Sequence, residues 1–238
     1  MENTEILKWK KDVLEYNNWL KSELLKSVED KNIFYGFEAI DGKIVENPTI
    51  LFMGINPGRG GNKNEDNIHE IKIESDEISY LDVFWEDEDK YKYDLAEETI
   101  KVLNLVGFNN DKIKSFLKNE CMKTNFFNIV TTNQNDIKKT FTNSNYSYKD
   151  YYNKSAEFSI KLTKITKPKI VILEGASVYN DVIEQCYGIK NTWQKDKSIG
   201  YYFSEEENIH FIGYGRIRSR IKNKPELSKI LKQLLITE

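Results

Sequence analysis

Thr49-Ile-Leu-Phe-Met53 is a short apolar run opened by Asn47-Pro48 and closed by Gly54. So brief a run between two breakers has no room for a helix and reads as a fully buried strand. The residues that follow, Gly54-Ile55-Asn56-Pro57-Gly58, turn the chain sharply at the strand's carboxyl end. In an open parallel sheet that edge is where ligands bind, because loops converge there and leave backbone N–H groups facing a crevice. Asn56 stands at the centre of the turn.

The flanking sequence supplies alternating elements. Ile6, Trp9, Val13, Tyr16, Leu20 and Leu24 recur at three- and four-residue steps and predict a packing helix over 4–27. Segments 34–39 and 43–46 flank Asp41-Gly42, a pair favoured in tight turns, and read as a hairpin leading into the central strand. An acidic insertion spans 62–94 and exceeds the length of ordinary connections. Its Tyr80, Phe84 and Trp85 read first as core packing and second as pocket-lining aromatics. Helices are expected over 95–106, ended by Gly107, and over 111–118. Phe126 to Val130 reads as a second sheet strand, with Asn128 as an unusual amide in an apolar run. Residues 131–147 read as loop. A helical stripe over 151–165 stops before Pro168, strand 170–173 follows, and Glu174-Gly175-Ala176 opens a helix to about 187. Strands 201–203 and 209–212 lead into Gly213-Tyr-Gly-Arg-Ile-Arg-Ser-Arg220, and Pro225 starts the last helix. Strands alternating with helices predict one α/β domain over 1–238, with a mainly parallel central sheet and helices on both faces.

Composition narrows the class. The chain is 39% apolar and 13% aromatic, a globular composition. Cys121 and Cys186 are too few for a cysteine cluster and sparse for a disulfide framework, which predicts a reducing, cytoplasmic setting. No apolar run approaches the roughly 20 residues of a membrane helix. His69 and His210 are the only histidines, so no metal centre is expected. The net charge of −3 gives no global attraction to nucleic acid, and any DNA site must be a local patch. Only four of the 35 cationic residues are arginines, Arg59, Arg216, Arg218 and Arg220, and all lie in two glycine-containing loops. Arginine's planar fork suits phosphate and base contacts better than lysine does.

Gly54-Ile55-Asn56-Pro57-Gly58 after a buried strand resembles the first motif of the uracil-DNA glycosylase superfamily, nearest its mismatch-specific uracil/thymine branch. The order of elements over about 45–236 is similar as well, and the superfamily's second motif falls where Gly213 to Arg220 lie. Relatives usually open that motif with Asn-Pro or His-Pro, whereas this chain has Gly213-Tyr214-Gly215. The first motif also lacks the aspartate of the uracil-specific branch.

The resemblance implies a monofunctional, monomeric DNA glycosylase that needs no cofactor and acts on a nucleotide rotated out of the duplex. Asn56 would hold the attacking water. Gly54, Ile55, Pro57, Gly58, Phe127 and Asn128 would enclose the base, Asn128 reading its edge. Arg59, Arg216, Ile217, Arg218, Ser219 and Arg220 would engage DNA, filling the vacated stack. Plain uracil or mispaired thymine, and a larger modified pyrimidine of foreign DNA, are equally open as the base removed. Two other readings stand beside this one: an inactive relative that binds DNA or a nucleotide, and an unrelated enzyme in which Gly58-Arg59-Gly60-Gly61 cradles phosphate without the Gly-Lys-Ser/Thr ending of a P-loop.

Overall fold

The structure, a computed structural model, describes residues 3–27, 33–58, 69–85 and 93–236. It opens with α1 (Thr4–Ser27), whose buried Ile6, Trp9, Val13, Leu20 and Leu24 form the expected stripe. Two short strands, β1 (Gly36–Glu38) and β2 (Ile40–Asp41), precede the motif strand β3 (Ile50–Gly54). Strand β4 (Glu70–Lys72) and a 3-10 helix (Ser79–Phe84) lead to α2 (Asp94–Val106) and α3 (Asn110–Asn119). Then come β5 (Cys121–Asn125), α4 (Gln134–Thr140), α5 (Tyr148–Thr166) and β6 (Ile170–Leu173). Helix α6 (Ala176–Tyr179) runs on as a π-helix (Asn180–Cys186), followed by β7 (Trp193–Gln194), β8 (Ile199–Ser204) and β9 (Ile209–Tyr214). A small hairpin, β10 (Arg216–Ile217) with β11 (Arg220–Ile221), precedes α7 (Lys224–Ile236).

Seven strands form one mixed sheet in the order β2-β5-β3-β6-β9-β8-β7. Its four central strands, β5, β3, β6 and β9, are parallel, while β2, β8 and β7 add antiparallel edges. Side chains alternate across a strand, and here the alternation divides two cores. Leu51, Met53, Val171, Leu173 and Phe211 pack with α1, α4, α5 and α6 on one face. Ile50, Phe52, Ile170, Ile172 and Ile212 pack with α2, α3 and α7 on the other. The prediction of an α/β fold with helices on both faces agrees with this arrangement.

Three local expectations do not. The 34–46 hairpin does not form: β1 pairs parallel with β4, and β2 pairs antiparallel with β5. Asp41, read as a turn residue, is instead gripped by buried Lys123 Nζ at 2.6 Å and by the Ser79 N–H at 2.8 Å. The second strand is Cys121–Asn125, not 126–130, because its polar members are buried with partners: Lys123 on Asp41 and Thr124 Oγ1 on the Ala39 carbonyl at 2.8 Å. Within 131–147 lies α4, capped by the Asn133 side chain.

Candidate functional site

Visited in chain order, the parallel strands run β3, β5, β6, β9, yet in space β5 and β6 flank β3. The chain leaves β3 toward helices of one core and leaves β6 toward α6 in the other. The crevice between the carboxyl ends of β3 and β6 is therefore the topological switch point, where open α/β sheets bind ligands. Register fixes what lies along it. Gly54 pairs with Asn125, Met53 with Leu173, and Leu173 with Gly213, so the row continues into Glu174 and Tyr214.

The motif turn extends β3 beyond the sheet. Phe126 N–H donates to the Gly54 carbonyl at 2.8 Å, Phe127 N–H to Ile55 at 2.9 Å, and Thr131 N–H to Pro57 at 3.3 Å. Asn56 Nδ2 donates to the Pro57 carbonyl and to Thr131 Oγ1, both at 3.0 Å. With the amide nitrogen held on one side, the amide oxygen is directed to the other, and it stands as a fixed acceptor on a half-buried side chain. The loop 126–131 is clamped from its far side too, since Asn128 accepts from the Glu38 N–H at 2.8 Å.

On the α2 face of the same edge lies a buried polar cluster. Glu174 is 2% exposed and accepts a hydrogen bond from the Tyr80 phenol on Oε1. Complete burial is the main cause that pushes its carboxyl up to about 8; Asp41 adds to this and Arg216 opposes it. The protonated form of Glu174 therefore predominates at pH 7. A Cβ on Gly54 would overlap Asn125 Oδ1 and come within 3.3 Å of Glu174 Oε2, so any side chain at the motif's first glycine would displace Asn125. Arg216 Nε lies 3.5 Å from where a Cβ on Gly175 would stand, which folds this arginine back over the end of β6. The Tyr214 hydroxyl is buried and has no hydrogen-bond partner among the described residues.

The arginine segment is a hairpin with its tip in solvent. Ile217 is 64% exposed, and Arg218 adopts a positive φ of 54°, as the favoured turns of two-residue hairpins have at their first turn residue. A non-glycine residue there costs about 1–2 kcal/mol. At the base, Glu98 Oε2 accepts from Ile221 N–H at 3.1 Å and from Lys224 Nζ at 2.5 Å. Burial works against the Glu98 charge, but Lys224, Lys101 and the Ile221 N–H outweigh it and lower its pKa to about 2. Tyr179 covers β8 and β9, the strands ahead of the hairpin, from the opposite face: its ring fills the space where Cβ atoms on Gly200 and Gly213 would be.

The structure thus gathers Gly54, Ile55, Asn56 and Pro57 beside the switch point and sets Ile217, Arg218, Ser219 and Arg220 on one projecting turn, with Arg216 at its root. Gly58 ends the described motif, and Arg59 lies outside the described residues. Phe127 is fully buried, its ring 5.6 Å from Tyr151 and nearly parallel to it, so it packs the α5 core and offers no free face for stacking. Asn128 lies past the end of β5 and not within the sheet. Sequence reasoning missed Asn125 and Glu174. The available signal was a polar residue at the carboxyl end of a buried strand, as in Ile170-Val-Ile-Leu-Glu174-Gly175.

No protein-family model matches this chain, and no curated protein matches its sequence. Among the described residues no group of three or more His, Cys, Asp or Glu side chains converges as a metal site, and no helix is long and apolar enough to cross a membrane.

Proposed function

We propose that this protein is a DNA glycosylase that hydrolyses the N-glycosidic bond of a pyrimidine nucleotide rotated out of the duplex, in the manner of the uracil-DNA glycosylase superfamily. The observation that carries the reading is the clamped Asn56 amide at the switch-point edge. An amide oxygen is a poor base but a good orienter, and a water hydrogen-bonded to it is held for attack on C1′ as the base departs. The N–H groups of the motif turn would stabilise the negative charge that develops on the leaving base.

The hairpin supports the same reading. An exposed isoleucine beside arginines on a narrow turn suits a wedge that enters the base stack while the guanidinium groups hold phosphates. The fold's carboxyl edge would then take the extruded nucleotide, and the cytoplasm would be its place of work. The deciding experiment uses duplexes carrying a single uracil, a mispaired thymine or a C5-substituted cytosine, with strand scission at abasic sites as the readout. Abasic product supports the proposal; DNA binding without product from any duplex replaces it with a non-catalytic DNA-binding role.

A further inference from the structure

We propose that Glu174 is the proton donor of this site and that the base it serves is of the cytosine type, bearing a ring-nitrogen acceptor beside an exocyclic amine. The proposal rests on the glycosylase reading and adds to it a catalytic residue and a substrate class.

Position comes first. Glu174 follows the last residue of β6 at the switch point, and its N–H donates to the Met53 carbonyl of the motif strand at 2.9 Å, which sets it beside Gly54. The Tyr80 phenol donates to Oε1, so the carboxyl's own proton belongs on Oε2, the oxygen beside Gly54. Asn125 Oδ1 crowds the same glycine. An O–H donor and an amide acceptor thus flank one point of the edge. That pair complements a cytosine edge, whose ring nitrogen accepts and whose amine donates; uracil presents a ring N–H between two carbonyl oxygens. The partnerless Tyr214 hydroxyl is a second buried donor in this cluster, and a bound base with a carbonyl oxygen would satisfy it.

Burial is what keeps the carboxyl protonated, against the groups that face it. Tyr80 approaches from the 3-10 helix, Tyr214 from β9, Asp41 from β2 and Arg216 from the hairpin, while Lys123 of β5 is engaged by Asp41 and Tyr93 stacks on Tyr80. Among the described residues Arg216 is the cation that acts on Glu174, and burial outweighs it.

The step balances as follows. The C1′–N1 bond breaks with both electrons going to the base, the Glu174 proton passes to the base ring nitrogen, and the base leaves neutral. Water held by Asn56 adds to C1′ and loses a proton, which returns through solvent to the Glu174 carboxylate. A cytosine-type base gains more from this than uracil does, because its anion is the poorer leaving group.

The test compares wild type, Glu174→Gln and Tyr80→Phe on duplexes carrying a C5-substituted cytosine or uracil, across pH 5 to 10. Wild type should release the cytosine-type base at a rate that is level below about pH 8 and falls above it. Glu174→Gln retains a donor but has no proton to give; release of this base should fall roughly a hundredfold and lose its alkaline limb. Tyr80→Phe deprives the carboxylate of a donor, which should move the limb to higher pH, and it serves as the second variant if Glu174→Gln does not fold. A Glu174→Gln enzyme with the wild-type rate and limb overturns the proposal, as does a Tyr80→Phe limb that stays in place. Release of uracil alone overturns it while leaving the glycosylase reading intact; no release from any duplex removes both.

Discussion

The motif turn and the arginine hairpin follow β3 and β9, at the same edge of the sheet with β6 between them, but are held in opposite ways. The turn is bonded along its length to loop 126–131, and that loop is bonded in turn to β1, so Asn56 moves only if several backbone hydrogen bonds break. The hairpin is fixed at its root, by Glu98 and buried Ile221, and its tip is free in solvent. The contrast separates a region built for placement from one built for reach. Chemistry that depends on a fraction of an ångström belongs to the first, and engagement of a flexible polymer to the second.

Four experiments bear on that contrast, taken from the largest expected effect to the smallest. Asn56→Ala should reduce base release by about a hundredfold or more while leaving thermal stability and DNA affinity near wild type, as single-turnover kinetics and a binding titration would reveal. If DNA affinity fell equally, the turn would be a binding element like the hairpin. Gly54→Ala forces a methyl group onto Asn125 Oδ1 and should destabilise the fold by about 1–3 kcal/mol in urea unfolding. A neutral outcome would mean that the turn is less constrained than its hydrogen bonds imply.

Replacing Arg218 and Arg220 together with glutamine should weaken DNA binding and reduce its salt slope by about 1–2, with urea stability unchanged because both side chains are exposed. A stability loss would assign the arginines to the hairpin's own folding. The smallest effect concerns acid. The folded pKa of Glu98 lies below its ordinary 4.5, so its contribution is complete above pH 4.5 and is lost as pH falls toward about 2. Glu98→Gln should therefore flatten the acid limb of a stability-against-pH curve, and hydrogen exchange of the Ile221 N–H should quicken in the variant. An unchanged acid limb would leave the hairpin anchored by Ile221 burial alone.

Elements with regular apolar spacing were legible in the sequence. The α1 stripe, the motif strand and strand 170–173 follow from periodicity and breakers, and the arginine clustering located the projecting turn. What stayed hidden was polar and buried. Cys121-Met-Lys-Thr-Asn125 does not look like a central strand, because the groups that neutralise Lys123 and Thr124 come from Asp41 and Ala39, far along the chain. The neighbouring Phe-Phe-Asn-Ile-Val run looks far more strand-like and is loop. Glu174 was passed over for the same reason: a carboxyl becomes chemically distinctive only once burial, Tyr80 and Arg216 surround it, and none of these is adjacent in sequence.

The ring of Tyr179 against Gly200 and Gly213 ties two positions on paired strands to a third on α6. These three sites form a lock with a single combination. A polar side chain at Gly213, such as asparagine or histidine, has no room until Tyr179 has first become small. Loss of the ring alone opens a cavity, and gain of the side chain alone causes a clash. Each single step is thus deleterious, and only the pair is passable. A lineage that acquired the aromatic socket would be held to a glycine here, and any chemistry once supplied from that strand end would have to be rebuilt on another.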